Sequence, residues 1–599
     1  MTQIIPLAAA TEPAGGAATG EAIGATVGAL VLTALMLAVL VPHRNGRDGV
    51  LARAADFTAR QTGLPGWAAL PSMISGVSLV VALLGMYWDI SLHIDNGRDP
   101  GPLANPAHYL ILAGLFGVLF AGLVAVCLPR EKPSDVAVRI APGWHAPLGG
   151  VLMVGCGVFS LAGFPLDDFW HRLFGQDVTL WGPTHLMLIG GAALATISAW
   201  VLFVEGTARR GPRVRRLPLL KLRQAAVAGG LLVGLSTFQA EFDFGVPQFR
   251  LLFHPILLML AAGIALVVAR VRIGRGGALI AALSYLAVRG LVSLLVGPVF
   301  GQTTPHFPLY LGAALAVELV ALRVSTDRAV RFGALAGVGI GTLGLAAEWG
   351  WSHVWMPIEW PTALLPEAAL LGFVSAVAAG ALGGAMGRAL SNDIANPVTR
   401  PERFALAAAA VAAVAALGYT LPVSEGTPTT ARVTLDEVRA APNREVVATA
   451  TLDPPDAADG AEWLNVTAWQ GGGSRIVRMR EVGPGTYRSA GPIPVDGSWK
   501  AILRLHSGNR IVGVPIFMPR DTAIPAAEVP ASPRFERAFA LDRKNLQREQ
   551  KDGVPGWLTL AGYLTVLAIA SAMIAALTVA LARLGGARAR SGRGAATPA

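Results

Sequence analysis

The sequence predicts a polytopic α-helical membrane protein of about 13 spans, built with hairpin repeats and carrying one extracytoplasmic β-sandwich domain. Three observations carry that expectation. Of the 599 residues 53% are hydrophobic and only 14% charged, with a mean hydropathy of +0.54. Soluble domains hold roughly 25% charged residues. Apolar runs of about twenty residues, long enough to cross a bilayer, recur along the chain. Between the last two of them, residues 424–553 lack such a run and read as short strands.

Residues 1–21 are expected to form a tail placed outside, and the Ala/Gly-rich residues 7–20, like 586–599, to be disordered. The runs follow at about 22–41, 72–92, 107–128, 146–167, 184–205, 222–242, 251–271, 276–299, 306–324, 331–351, 364–388, 403–422 and 556–583. The first lies behind uncharged or acidic residues and lacks a basic n-region, so it reads as an uncleaved anchor. Residues 22–422 thus form a membrane domain of about 12 helices, and 556–583 a final transmembrane helix ahead of a basic cytoplasmic tail, 584–599. Basic residues set the orientation. They cluster after the first, third, fifth, seventh, ninth and eleventh runs (Arg44 and Arg47, Arg130 and Lys132, Arg209 to Arg216, Arg270 and Arg272, Arg323 and Arg328, Arg388 and Arg400) and in the tail at Arg583 and Arg588. All fall on one side if the N-terminus is outside and the C-terminus cytoplasmic. The formal net charge of +10 is therefore topology, and nucleic acid is not an expected partner.

The soluble segment reads as strands at Glu445–Leu452, Trp463–Gln470, Arg475–Val482, Thr486–Val495, Trp499–His506 and Arg510–Met518, punctuated by Gly, Pro, Asp and Asn as in a small sandwich. The two cysteines, Cys127 and Cys156, fall at different depths and read as small core residues.

One spacing occurs twice. Asp89, His93, Asp99 and His108 form D-x3-H-x5-D-x8-H, and Asp167, His171, Asp177 and His185 form D-x3-H-x5-D-x7-H. Each copy has a glycine two residues before the second aspartate, Gly97 and Gly175, and ends in P-x-H before an apolar run. A doubled pattern of this kind means two copies of one unit. The first aspartate and histidine are i, i+4 and share a helix face. The second aspartate lies in the loop, and the last histidine opens the returning helix. Both hairpins face outward under the stated topology. Weaker versions follow: Glu241 and Asp243 with His254, Gln302 with His306, and Glu348 and His353 with Glu367. Seven of the ten histidines thereby fall at one level of the membrane.

Imidazole and carboxylate without thiolate suit copper, zinc or iron, and the spacing alone does not choose among them. Aspartate as a helix cap and histidine paired with a neighbouring carboxylate is the competing reading. A haem attachment motif is absent. A proton relay is the third option, since ionisable groups at membrane depth are functional candidates. Trp88, Trp170 and Trp181 beside the motifs read as interfacial anchors. Arg289 and Glu318, at matching depth in adjacent runs, are expected to form an intramembrane ion pair, as a lock or as part of a transport path. No G-x-x-x-x-G-K-[ST] loop is present, so the chain is not expected to be an ATP-driven pump. Gly380–Gly387 reads as close helix packing.

Two resemblances bear on function. Gly485-Thr-Tyr-Arg-Ser-Ala-Gly-Pro-Ile-Pro-Val-Asp-Gly-Ser-Trp499-Lys-Ala-Ile-Leu-Arg-Leu resembles the G-x-Y … G-x-W stretch of YtkA-like and FixH-like β-sandwich modules, over some 40 residues. Those modules occur in membrane proteins of copper handling and oxidase maturation. The resemblance identifies no ligands; His506, Met479 and Met518 are the candidates in this segment. In the membrane part, Asp167-x3-His171 with His185 beyond is similar to the Asp-x3-His…His metal site of the PmoC subunit of copper membrane monooxygenases, where the last two ligands stand one residue closer. Both imply copper. The expectation is a cytoplasmic-membrane metal-binding protein that holds copper, or else zinc or iron, on its outer face. It would act in metal handling or respiratory metalloenzyme assembly, with membrane lipid and a respiratory metalloenzyme or metal chaperone as partners. A membrane-bound metal-dependent oxidoreductase or monooxygenase and a proton-coupled secondary transporter are the alternatives.

Overall fold

The structure is a computed structural model that describes residues 18–99, 101, 103–175, 179–208, 218–391, 398–421, 423–546, 548–551 and 553–594. Asp177, the basic run from Arg209 to Arg216, and most of the N-terminal tail lie outside the described residues.

Among the described residues twelve helices are long and apolar enough to cross a membrane. They are α1 (Thr19–Arg44), α2 (Gly66–Asn96), α3 (Pro106–Cys127), α4 (Leu148–Phe174), α5 (Pro183–Thr207), α6 (Leu222–Asp243), α7 (Phe253–Ile273), α8 (Gly277–Val299), α9 (Ala329–Val354), α10 (Thr362–Leu390), α11 (Arg400–Thr420) and α12 (Gly556–Leu584). In hydrocarbon every backbone N–H and C=O needs a partner, and only a helix supplies them within one segment. Small residues set how closely the helices pack. Gly333 and Gly337 of α9 meet Gly380, Gly384 and Ala376 of α10 so tightly that an added Cβ would overlap the facing backbone. This matches the packing expected of Gly380–Gly387.

The run expected at 306–324 takes another form. Pro305 and Pro308 lack the N–H a helix needs, residues 303–310 carry no helix, and only Leu311–Val320 is helical. The irregular stretch is held by Glu348, whose carboxylate accepts the N–H groups of Leu309 (3.0 Å) and Tyr310 (2.5 Å). This changes the depth of Glu318. Extended chain advances about 3.3 Å per residue and helix about 1.5 Å, so the non-helical stretch carries Glu318 further than a helix would. It ends at the start of α8, where its carboxylate accepts from Gly276 N (3.0 Å) and Ala278 N (3.0 Å) and pairs with Arg270 (3.0 Å). The expected Arg289–Glu318 pair does not form. Arg289 instead donates to Asp243 (2.7 Å) and to the His306 carbonyl (2.9 Å).

Glu205 follows the same rule as Glu318. On α5, it accepts from Leu148 N (3.0 Å) and Gly149 N (2.7 Å) at the start of α4. Glu205 and Glu318 therefore satisfy orphan N–H groups at helix starts, where the helix dipole also favours negative charge, while Glu348 holds the non-helical stretch before Leu311.

A short hairpin, β1 (Val138–Ala141) and β2 (Trp144–Ala146), joins α3 to α4. The segment between α11 and α12 is an antiparallel sheet that curls into a barrel-like domain. Its strands are β3 (Thr430–Arg439), β4 (Glu445–Asp453), β5 (Trp463–Trp469), β6 (Arg475–Gly483), β7 (Thr486–Ser489), β8 (Ile493–Pro494), β9 (Lys500–Ser507), β10 (Arg510–Phe517), β11 (Arg534–Ala538) and β12 (Ala540–Leu541). They pair in the order β11-β3-β4-β7-β6-β5-β9-β10-β12, with β8 beside β4. Alternate residues such as Val433, Ala448, Val466, Leu503 and Val514 point into one core. The expected strand Thr486–Val495 is split in two, and β3, β11 and β12 add to the expected set.

This domain caps one end of the helix bundle. Gln470 N donates to Ile94 O (2.8 Å) and Gly472 N to Asp95 O (2.9 Å) at the end of α2. Arg98 in the following loop pairs with Asp521 (2.8 Å). Elsewhere the buried Arg504 bridges Asp542 (2.7 Å) and the Pro247 carbonyl (2.7 Å), and Arg250 donates to Gly508 O (2.8 Å). The cap therefore rests on the same hairpin loops that carry the repeated motifs.

Candidate metal centres

The local features of the repeat are explained by helix termini. In both copies the first aspartate and histidine occupy the last turns of a helix, α2 or α4. The glycine that follows ends it, with φ +87° at Gly97 and +82° at Gly175. Each glycine N–H caps the carbonyl of the motif histidine, at 3.1 Å for His93 and 2.9 Å for His171. L side chains avoid that backbone region. Proline then opens the returning helix, where its missing N–H costs nothing, and the histidine comes in the first turn. In the first copy Asn105 is the N-cap, its side chain accepting from Ala107 N (2.9 Å).

Gly175→Ala and Gly97→Ala are each expected to destabilise the protein by about 1–3 kcal/mol from backbone strain. Gly175→Ala should cost more, because its Cβ would overlap the carbonyl of Glu549, whereas at Gly97 it meets the movable Gln470 side chain. Thermal unfolding in detergent compares the two; equal, unchanged midpoints would contradict this.

Asp89, His93, Asp99 and His108 converge. One ligand atom from each lies within 4.8 Å of all the others. His93 Nε2 is 3.5 Å from Asp89 Oδ1 and 3.5 Å from Asp99 Oδ2, and His108 Nε2 is 3.0 Å and 3.8 Å from the same two atoms. His93 Nδ1 donates to Gly97 O (3.0 Å), which leaves the Nε2 lone pair facing the carboxylates. Asn105 is the link that spacing did not reveal. Its amide donates to Asp89 (2.5 Å) and to both Asp99 oxygens (3.2 and 3.0 Å), tying the loop aspartate to the helix aspartate.

Asp167, His171 and His185 form the second group by the same 4.8 Å criterion. Nε2 of His171 is 3.7 Å and that of His185 3.4 Å from the Asp167 carboxylate. Thr184 donates to Asp167 (2.5 Å), and His185 Nδ1 donates to Thr179 O (2.6 Å). His171 Nε2 is shut off from solvent and has no hydrogen-bond partner. Asp177 lies outside the described residues.

Glu241, expected to belong to a further hairpin, supports this second group instead. It accepts from Thr179 Oγ1 (2.7 Å), Leu180 N (2.9 Å) and Gln248 N (3.1 Å), and so fixes the loop whose carbonyl orients His185.

The other expected ligands stand apart. His254 stacks on Phe242 at 4.6 Å, and its Nδ1 accepts from Trp360 Nε1 (3.0 Å). Its Nε2 must then carry the proton and has no lone pair to offer. His306 Nδ1 donates to Asp243 O (3.2 Å) and its ring packs on Trp355 at 4.8 Å. Neither belongs to a group of three or more potential ligands among the described residues. In the cap, His506 is buried between Glu462 (3.0 Å) and Trp463 (4.4 Å) and receives Leu251 N at 3.3 Å. Met479 packs in the sheet core and Met518 in a separate cluster, so the cap's three candidates are not brought together. Cys127 and Cys156 are buried and free, as expected of small core residues.

The two groups share one cavity of about 550 Å³. Their ligand side chains are only 12–22% exposed. Asp89 lies within electrostatic reach of His185. Three or four N and O donors with paired carboxylates can hold a divalent cation and leave coordination positions open. Asn105→Ala should weaken metal binding at the first group by about 10–100-fold, read by competition titration with a chromogenic chelator. Unchanged affinity would show that Asn105 does not organise that group.

Comparison with protein-family models, with curated proteins and with solved structures returns no match for this chain.

Proposed function

We propose that this chain is an integral protein of the cytoplasmic membrane that binds a transition metal, copper in our reading, at two histidine–carboxylate sites on its outer face. It serves metal handling or the assembly of a respiratory metalloenzyme, with such an enzyme or a metal chaperone as partner. The observation that carries the reading is the convergence of each repeated motif: residues up to nineteen positions apart in sequence present their ligand atoms within 4.8 Å of one another. A capping role for those aspartates does not explain the shared orientation of the Nε2 atoms toward them. The imidazole and carboxylate donors also accommodate zinc or iron; the choice of copper rests on the two resemblances.

Elemental mass spectrometry on detergent-purified protein, after loading with copper, zinc or iron and removal of excess, tests the proposal. Two equivalents of one metal per chain are expected. Metal-free protein after every loading would overturn it.

One observation favours a second reading, a membrane-bound metal-dependent oxidoreductase: the mostly apolar cavity below the sites would serve as a substrate path. The transporter reading is less well supported, because Arg289 is held by Asp243 and the carboxylates of Glu205, Glu318 and Glu348 are engaged with backbone N–H groups.

A further inference from the structure

The cavity runs lengthwise through the bundle: along α2 its wall extends from Ser72 to His93, about 30 Å of helix. Its two ends differ in chemistry. At the capped end stand the histidines and aspartates of both groups, with Thr179, Glu241 and the cap residue Gln470. Through the middle the wall is apolar, with Val80, Leu83, Leu188, Val227 and Val288 facing in from four helices. At the far end it is lined by Met73, Val77 and Leu222, which are 44%, 62% and 65% exposed. A water-filled route for an ion needs free polar groups along its length. Below the clusters the wall has scattered polar side chains, but Ser72, Thr196 and Thr237 donate to carbonyls of their own helices and Arg223, beside Leu222, to Ala69 O (2.7 Å). An opening edged by exposed apolar side chains in a membrane-spanning bundle faces lipid.

We propose that this cavity binds a single-chain membrane amphiphile, taken from the bilayer through the gap at Met73, Val77 and Leu222. Its hydrocarbon chain lies along α2 and its small oxygen-bearing end reaches the histidine–aspartate clusters. The volume falls within the roughly 300–1,000 Å³ of small-molecule pockets. An apolar wall with a few convergent polar groups at one end is also the usual lining of such a site. The side-chain chemistry explains the polarity of the pose. Oxygen is a donor that the open coordination positions of a hard or borderline metal accept, and Gln470 and Thr179 add hydrogen-bonding groups beside it. The orientation of the ligand rests on the metal-binding reading; its occupancy of the cavity does not.

Gly230 provides the test. It lines the cavity, and an added Cβ there meets nothing within 4 Å, so Gly230→Phe is expected to place its ring in the cavity. Gly290 on α8 is equally open but lies outside the cavity wall, and Gly290→Phe is the control. The probe is hexadecanol carrying a mid-chain diazirine, photolysed with full-length protein in detergent, with labelled peptides mapped and bound metal measured on the same samples. Saturable labelling of α2 and α6 is expected in the wild type and in Gly290→Phe, with at least a tenfold loss in Gly230→Phe at unchanged metal content. Equal labelling in all three, or labelling confined to lipid-facing helices, would overturn the proposal. Protein that is labelled in the cavity but never binds metal would sustain the cavity site while the metal reading falls. Metal-loaded protein with no saturable labelling would do the reverse.

Discussion

Replacing His93 and His108 together by alanine is expected to halve the metal content of the loaded protein, and adding His171→Ala and His185→Ala to abolish it. The argument is geometric. Each pair supplies the two imidazole nitrogens of one group, and the carboxylates left behind, Asp89 with Asp99 or Asp167, hold a borderline metal poorly without nitrogen donors. Loss of an outer-sphere partner already costs about 10–100-fold in affinity, so loss of two direct ligands should exceed that at each group. The halving is the informative part. If either pair alone removed all metal, the two groups would be contributing to one shared centre. If the quadruple variant kept its full content, the metal would sit elsewhere.

The second large effect concerns stability. Asp243→Ala should destabilise the protein by about 3–5 kcal/mol, because it strands a buried guanidinium. The two side chains are 0% and 3% exposed, and Asp243 also receives Tyr87 (2.7 Å) and Gln239 (2.7 Å). Arg289 lies 3.8 Å from the Tyr87 ring centroid, on which its charge is favourably placed. Removing both charges, as in Asp243→Ala/Arg289→Met, should recover much of the loss, since the desolvation cost of the unpaired ion goes with it. Thermal unfolding of the two variants in one detergent gives the comparison. A double variant no better than the single one would mean that the pair acts through packing and not through its charge.

These two effects mark where the amino-acid sequence was informative and where it was not. The repeated spacing was legible because helix geometry converts it directly: i, i+4 on a helix end, a glycine stop, and P-x-H at a helix start each have one local structure. The partners that organise the groups were not legible, because they are set by tertiary contact. Asn105 looks like an ordinary helix cap, and Glu241 reaches Thr179 from 62 positions away. Signals for β3 were present, since Ala431, Val433 and Leu435 alternate with polar residues and all three are buried. The failure of the Arg289–Glu318 pair has a single cause. Its depth assignment assumed helical rise through 306–318, and Pro305 and Pro308 keep part of that stretch out of a helix. His254 and His306 share the level of the two converging groups, but level along a helix says nothing about which way a ring faces or which of its nitrogens is free.

Anomalous diffraction or an equivalent element-specific density measurement on copper-loaded protein tests the central claim most directly. Two peaks are expected, one about 2.0–2.2 Å from Nε2 of His93 and His108 with an Asp89 or Asp99 oxygen beside it, the other at the same distance from Nε2 of His171 and His185 beside Asp167. Peaks at His254, at His506 or nowhere in the bundle would contradict it.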